Sequence, residues 1–143
     1  MSNTATMVDA LEKTIHKTNE WLKDVEMELD RDDRHFAYQS LRAVLHVLRD
    51  RLPAQEAANF GSQLPTLIRG IYYEGWNPAR MPNKDRKIAE FTDRILEYFP
   101  NGEVVDPQFL VKSVFRVIKK RISAGEVMDI WSNFPNELLP LWN

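Results

Sequence analysis

Val44-Leu45-His46-Val47-Leu48-Arg49-Asp50-Arg51-Leu52 falls over Val114-Phe115-Arg116-Val117-Ile118-Lys119-Lys120-Arg121-Ile122 when the chain is slid along itself by 70 positions. No gap is needed. Arg51, Ala54, Glu56, Ser62 and Pro65 recur unchanged as Arg121, Ala124, Glu126, Ser132 and Pro135. Between Val44–Tyr72 and Val114–Trp142, 7 of 29 positions are identical, and most of the others keep their apolar or polar character. Upstream the match thins, but Trp21, Val25 and Leu29 still lie over Phe91, Ile95 and Phe99. One constant offset carried over this length is the mark of an internal repeat.

Each copy reads as helical. Leu41, Val44, Leu45, Leu48 and Leu52 recur at spacings of three and four, and Val111, Val114, Phe115, Ile118 and Ile122 do the same. An earlier stripe of Val8, Leu11, Ile15, Leu22, Val25 and Leu29, with Trp21 beside it, predicts a first helix over 9–30. The knot Asp30-Arg31-Asp32-Asp33-Arg34 ends it, and Asp32 or Asp33 can cap the next helix. Asp106-Pro107 pairs an N-cap with proline at the first helical position, where the missing N–H costs nothing. Ser123-Ala124-Gly125-Glu126 reads as a capping box, with serine accepting one orphan N–H and glutamate reaching back to another. Pro53 takes the serine's place in the first copy. Pro65 and Pro135 should each stop a third helix and start a short fourth one. Gly75–Asn83 is the one credible linker, with Asn83 capping a helix over 84–99. Strand signals are nearly absent. The expectation is an all-α chain, residues 1–143 forming a single compact helical bundle. Two tandem copies of a roughly four-helix unit, 14–72 and 84–142, build it around the linker 75–83, each covering an apolar face the other exposes.

Composition removes several classes of function. Lys plus Arg is 19 and Asp plus Glu is 21, a net charge of −2 that lacks the positive excess of a nucleic-acid coat. No apolar run approaches the roughly 20 residues of a membrane span. Met1–Met7 lacks the blocks of a signal peptide. The helix over 9–30 mixes acids with lysines rather than showing the basic bias of a membrane-surface helix. Without cysteine there is neither a disulfide nor a thiol nucleophile, and the composition fits a cytoplasmic protein. A chain of 143 residues buries about 68–70% of its unfolded surface, so it needs no metal staple.

The strings Arg42-Ala43-Val44-Leu45-His46-Val47-Leu48-Arg49-Asp50-Arg51-Leu52 and Gln63-Leu64-Pro65-Thr66-Leu67-Ile68-Arg69-Gly70-Ile71-Tyr72-Tyr73-Glu74-Gly75-Trp76 resemble the core motif of a bacterial family known as domain of unknown function 2267. The resemblance runs from about Phe36 to the end, and the block from Leu64-Pro65 to Trp76 is its most specific part. It implies a small, soluble, all-helical bacterial protein and no activity. The second copy departs from it: Asn136-Glu137-Leu138-Leu139-Pro140-Leu141-Trp142 lacks the Tyr-Glu-Gly sequence, so whatever that sequence does is done once per chain.

No catalytic signature, nucleophile elbow or glycine-rich phosphate loop is present. Glu12, His16 and Glu20 share a helix face at i, i+4, i+8, but a solvated face explains them, and no metal or other cofactor is expected. Arg42, His46 and Arg49 form a basic stripe opposite the apolar one, and Lys112, Arg116 and Lys119 repeat it, with Lys120 beside them. Two such stripes could bracket an anionic partner. Cations near the negative end of a helix account for the same residues. Tyr72, Tyr73, Glu74 and Trp76, with Arg69 able to fork onto a carboxylate or phosphate, form a second candidate site. There Trp76 either joins a binding surface or plugs the seam between the copies, with Gly75 freeing the chain to turn. The reading that fits best is a non-enzymatic protein-interaction or regulatory module, binding a protein partner or a second copy of itself. The alternative is a small-ligand binder, or a weak hydrolase using Glu74, with an aromatic and arginine pocket between the copies.

Overall fold

The computed structural model describes residues 7–104 and 106–143, so the expectation for Met1–Met7 lies almost wholly outside the described residues. Helix is the only regular structure among them: α1 (Asp9–Leu29), α2 (Arg34–Asp50), α3 (Ala54–Ser62), α4 (Thr66–Tyr73), α5 (Ile88–Leu96), α6 (Pro107–Arg121) and α7 (Ala124–Ser132). Two 3-10 segments, Pro78–Arg80 and Asn136–Trp142, complete the set. Among the described residues no helix is long and apolar enough to cross a membrane.

The punctuation in the sequence sets most boundaries. Asp33 caps α2 by accepting the Phe36 N–H at 2.9 Å, and Asp106 caps α6 by accepting that of Phe109 at 3.0 Å. Pro53, Pro65 and Pro135 each stand just before the next helical segment. The last of these segments is 3-10 rather than α because Pro140 lies inside it, where its ring clashes with the carbonyl four residues back.

Three expectations fail, one through local turn bonding and two because a distant segment supplies a partner. The helix expected over 84–99 begins only at Ile88, since Asn83 accepts the Asp85 N–H at 3.1 Å in a turn. Glu90 does the capping instead, accepting from the Arg86 and Lys87 N–H groups at 3.1 and 3.0 Å. In the expected capping box Ser123 does accept the Glu126 N–H at 3.2 Å. Gln63, however, takes the Ser123 N–H at 3.1 Å, and Glu126 turns inward. On α1 the buried stripe is Thr14, Thr18, Trp21, Leu22, Val25 and Leu29, while Val8 and Leu11 stay exposed. Thr14 Oγ1 accepts the Leu67 N–H at 2.9 Å, so a hydroxyl serves an orphan donor at the start of α4 where an apolar side chain could not.

The buried side chains form one apolar cluster drawing on every α-helix and on Asn136–Trp142. α2 and α6 pack on each other, and α1 lies across both. α5 likewise contacts both α2 and α6. α4 packs on α2, and Asn136–Trp142 packs on α6. α3 meets α7. Burial follows the 70-residue offset closely: Leu52 and Ile122, Ala57 and Val127, Phe60 and Ile130, Leu64 and Phe134, Ile68 and Leu138, Tyr72 and Trp142 are all buried. The second half adds an aromatic cluster, with Trp142 stacked on Phe115 at 3.8 Å between ring centroids and Phe134 edge-on to both.

Candidate functional site

The first basic stripe and the aromatic block of the sequence meet at the C-terminal end of α4. That end exposes unsatisfied carbonyls and carries the negative pole of the helix dipole. Arg49, on α2, is buried and donates through one terminal nitrogen to the Tyr72 carbonyl at 2.7 Å and the Glu74 carbonyl at 2.8 Å. Its other nitrogens hold the neighbouring Asp50 carboxylate at 2.8 and 3.2 Å. His46, one turn earlier, is also buried, and its Nε2 lies 2.7 Å from the Ile71 carbonyl. A carbonyl only accepts, so Nε2 carries the proton and Nδ1 accepts from the Tyr98 hydroxyl at 3.0 Å. Burial pushes the His46 imidazole below its ordinary value, and Arg49 and Arg42 push the same way, against the Ile71 hydrogen bond. It is neutral at pH 7. Arg42, half-buried, reaches the Glu74 carboxylate at 3.2 Å and stands 5.6 Å over the Tyr98 ring.

The first stripe is therefore not the outward anion-binding face expected of it. It turns inward because α4 ends directly over α2, where its free carbonyls take cations and N–H donors. The second stripe is more open: Lys112 is half-buried, and Arg116 is exposed 3.9 Å from Glu28. Lys119 nonetheless donates to the Trp142 carbonyl at 2.9 Å. That bond lies 70 residues from the one Arg49 makes to Tyr72. The expected aromatic and arginine pocket is likewise a set of internal ties. Arg69 donates to the carbonyls of Gly61, Ser62 and Leu64 at 3.0, 3.3 and 2.8 Å, closing the C-terminus of α3 rather than waiting for an anion. Tyr72 is fully buried, edge-on to Phe60, with its hydroxyl donated to the Ala57 carbonyl at 2.7 Å. The Tyr73 ring sits between Tyr72 and Trp76, at 5.0 and 5.3 Å. A Cβ at Gly61 would lie 2.5 Å from the Tyr73 hydroxyl oxygen, so that ring needs a glycine beneath it. Trp76 is half-buried against the core with its Nε1 in the interior and unpartnered, after Gly75 turns the chain at φ +74°. On α1, His16 pairs with Glu20 at 3.2 Å, and Glu12 is exposed.

A family model described as "Uncharacterized conserved protein (DUF2267)" matches residues 18–141. The chain belongs to that family. A search of the curated proteins found no match. The match bears out the resemblance drawn from the Arg42–Leu52 and Gln63–Trp76 strings and extends it from α1 to the C-terminal 3-10 segment.

Within this DUF2267 chain a cleft of about 380 Å³ beside the α4 end is lined by His35, Tyr38, Gln39, Arg42, Glu74 and Tyr98. Sequence reasoning singled out only Arg42 and Glu74 there. His35, Tyr38, Gln39, Arg42 and His46 fall at i, i+3, i+4, i+7, i+11 along α2, a polar stripe that was there to be found. Tyr98 follows α5 and carries no local signal. Burial raises its phenol above the ordinary tyrosine value, so it stays protonated and donates to His46.

Proposed function

We propose that the chain is a single domain of two like units, 14–72 and 84–142, set about an approximate two-fold axis, and that it serves as a non-enzymatic protein-interaction module. Reciprocity supports the duplication. α1 and α5 each contact both α2 and α6, α4 lies on α2 as Asn136–Trp142 lies on α6, and Arg49 and Lys119 tie equivalent carbonyls. The interaction reading rests on one observation: Arg69, His46 and Arg49, the groups best suited to hold a ligand, are bonded to main-chain carbonyls. Meanwhile Met128 and Trp131, three residues apart on α7, remain 62% and 36% exposed. Tryptophan is among the residue types enriched at the hot spots where protein partners dock. A composition near neutral charge and without cysteine supports a cytoplasmic setting. The first partner to test is a second copy of the chain, since two-fold dimers dominate oligomers. Light scattering over a concentration series, on the wild type and on Trp131→Gln, together with recovery of partners from lysate, tests this. Association lost in the variant supports it; a strict monomer with no recovered partner refutes it.

A second reading moves the small-ligand site from the seam to the Arg42–Glu74–Tyr98 cleft, whose volume and polar lining favour it. Thermal-shift screening against small carboxylates and phosphates decides. Stabilisation lost in Arg42→Gln supports the cleft, and no stabilisation at millimolar ligand removes it.

A further inference from the structure

Glu56 on α3 and Glu126 on α7 stand 70 residues apart, and their two helices pack together. Both are more than nine-tenths buried, at 8% and 7% exposed. Their carboxyls lie within hydrogen-bonding reach of each other. As two carboxylates neither could donate, and Glu56 Oε2 and Glu126 Oε2 would both be buried acceptors without a partner. Nor does a cation relieve them among the described residues. Asn133, at the end of α7, donates to Glu56 Oε1 at 3.3 Å, and Asp129 of α7 brings one more negative charge to Glu126. From α4, the neutral Tyr72 phenol stands near enough to Glu126 to feel its charge, its hydroxyl already given to Ala57. A buried carboxylate without a donor is strongly disfavoured, and a second beside it more so. One proton placed between the two oxygens satisfies both.

We propose that Glu56 and Glu126 hold a single proton between them, and that its loss in mildly alkaline conditions loosens the junction of α3 with α7. The Glu126 carboxyl is pushed up to about 8, by burial first and then by the hydrogen bond to Glu56 and the charges of Glu56 and Asp129. Two further bonds cross the same junction, Gln63 to the Ser123 N–H and Asn133 to Glu56. The shared proton is thus one of three polar ties at the α3–α7 junction, and the one of these that responds to mildly alkaline pH.

The test is a carbon-13 NMR titration of the glutamate carboxyls in the full-length protein, combined with amide hydrogen exchange in α3 and α7. One carboxyl should titrate near about 8 instead of 4.5. In Glu56→Gln the amide can donate to Glu126, whose midpoint should fall by at least about one pH unit, a tenfold change in proton affinity. Protection of α3 and α7, corrected for base-catalysed exchange, should drop between pH 7 and 9 in the wild type and hold in Glu126→Gln. Glutamates that all titrate in the ordinary range overturn the proposal, as does protection that does not change from pH 7 to 9. Should Glu56→Gln fail to fold, the wild-type titration and the Glu126→Gln exchange still decide.

Discussion

Replacing Arg49 by methionine keeps the apolar stem and removes the guanidinium. Two charge-assisted hydrogen bonds go with it, to the Tyr72 carbonyl at 2.7 Å and the Glu74 carbonyl at 2.8 Å. Bonds of this kind contribute about 1.5–3 kcal/mol each. The Glu74 carbonyl belongs to an exposed residue and regains water, whereas the Tyr72 carbonyl is left buried and unpaired. Asp50, 24% exposed, stays hydrated and adds little. The net loss should be about 2–4 kcal/mol. With a urea m-value of about 2 kcal/mol/M, the midpoint falls by roughly 1–2 M. Arg49→Lys should lose less than half of that, because Lys119 already makes the equivalent single bond to Trp142 at 2.9 Å. Urea unfolding followed by circular dichroism, at unchanged m, is the assay. A methionine variant within about 0.5 kcal/mol of wild type, or a lysine variant less stable than the methionine one, would refute the clamp and return Arg49 to the list of groups free to bind an anion.

Tyr72→Phe removes the hydroxyl donated to Ala57 and leaves that carbonyl buried, a loss of about 1–3 kcal/mol by chemical denaturation with little change in fold by circular dichroism. Gly61→Ala drives a methyl into the Tyr73 hydroxyl, so stability should fall by about 1–3 kcal/mol and the tryptophan fluorescence should shift as the Tyr73 and Trp76 rings part; Gly61→Ala with Tyr73→Phe should recover part of the loss. Stability should also bend with pH. Glu126 binds its proton more tightly folded than unfolded, so stability falls as pH rises from 4.5 to about 8, by at most about 1.4 kcal/mol per unit. His46 is the reverse, its folded value lying below 6.5, so its contribution is complete above 6.5 and lost as pH falls. Between 6.5 and 8 the Glu126 slope stands alone, and urea midpoints across that window should decline in wild type and stay level in Glu126→Gln.

The helices were legible because their signals are local. Stripes at three and four, Asp33 and Asp106 at N-caps, and prolines at 53, 65, 107 and 135 act within a turn or two of where they stand. The site was not legible in the same way. Arg49 and His46 look like a solvated face because their acceptors lie on another helix, 23 and 25 residues later. Glu126 looks like half of a capping box because the acceptor that replaces it, Gln63, lies 60 residues away. Thr14 looks like a break in an apolar stripe, since its partner is the Leu67 N–H, 53 residues on. In each case a polar side chain satisfies a helix end belonging to another segment, a contact that periodicity within one helix does not encode.

Differential scanning calorimetry of the whole chain tests most directly whether two like halves share one core. A single transition is expected, with a calorimetric enthalpy of about 100 kcal/mol for 143 residues that equals the van't Hoff enthalpy. Two resolved steps of about 50 kcal/mol each, or a calorimetric enthalpy twice the van't Hoff value, would show halves that melt independently and contradict the account.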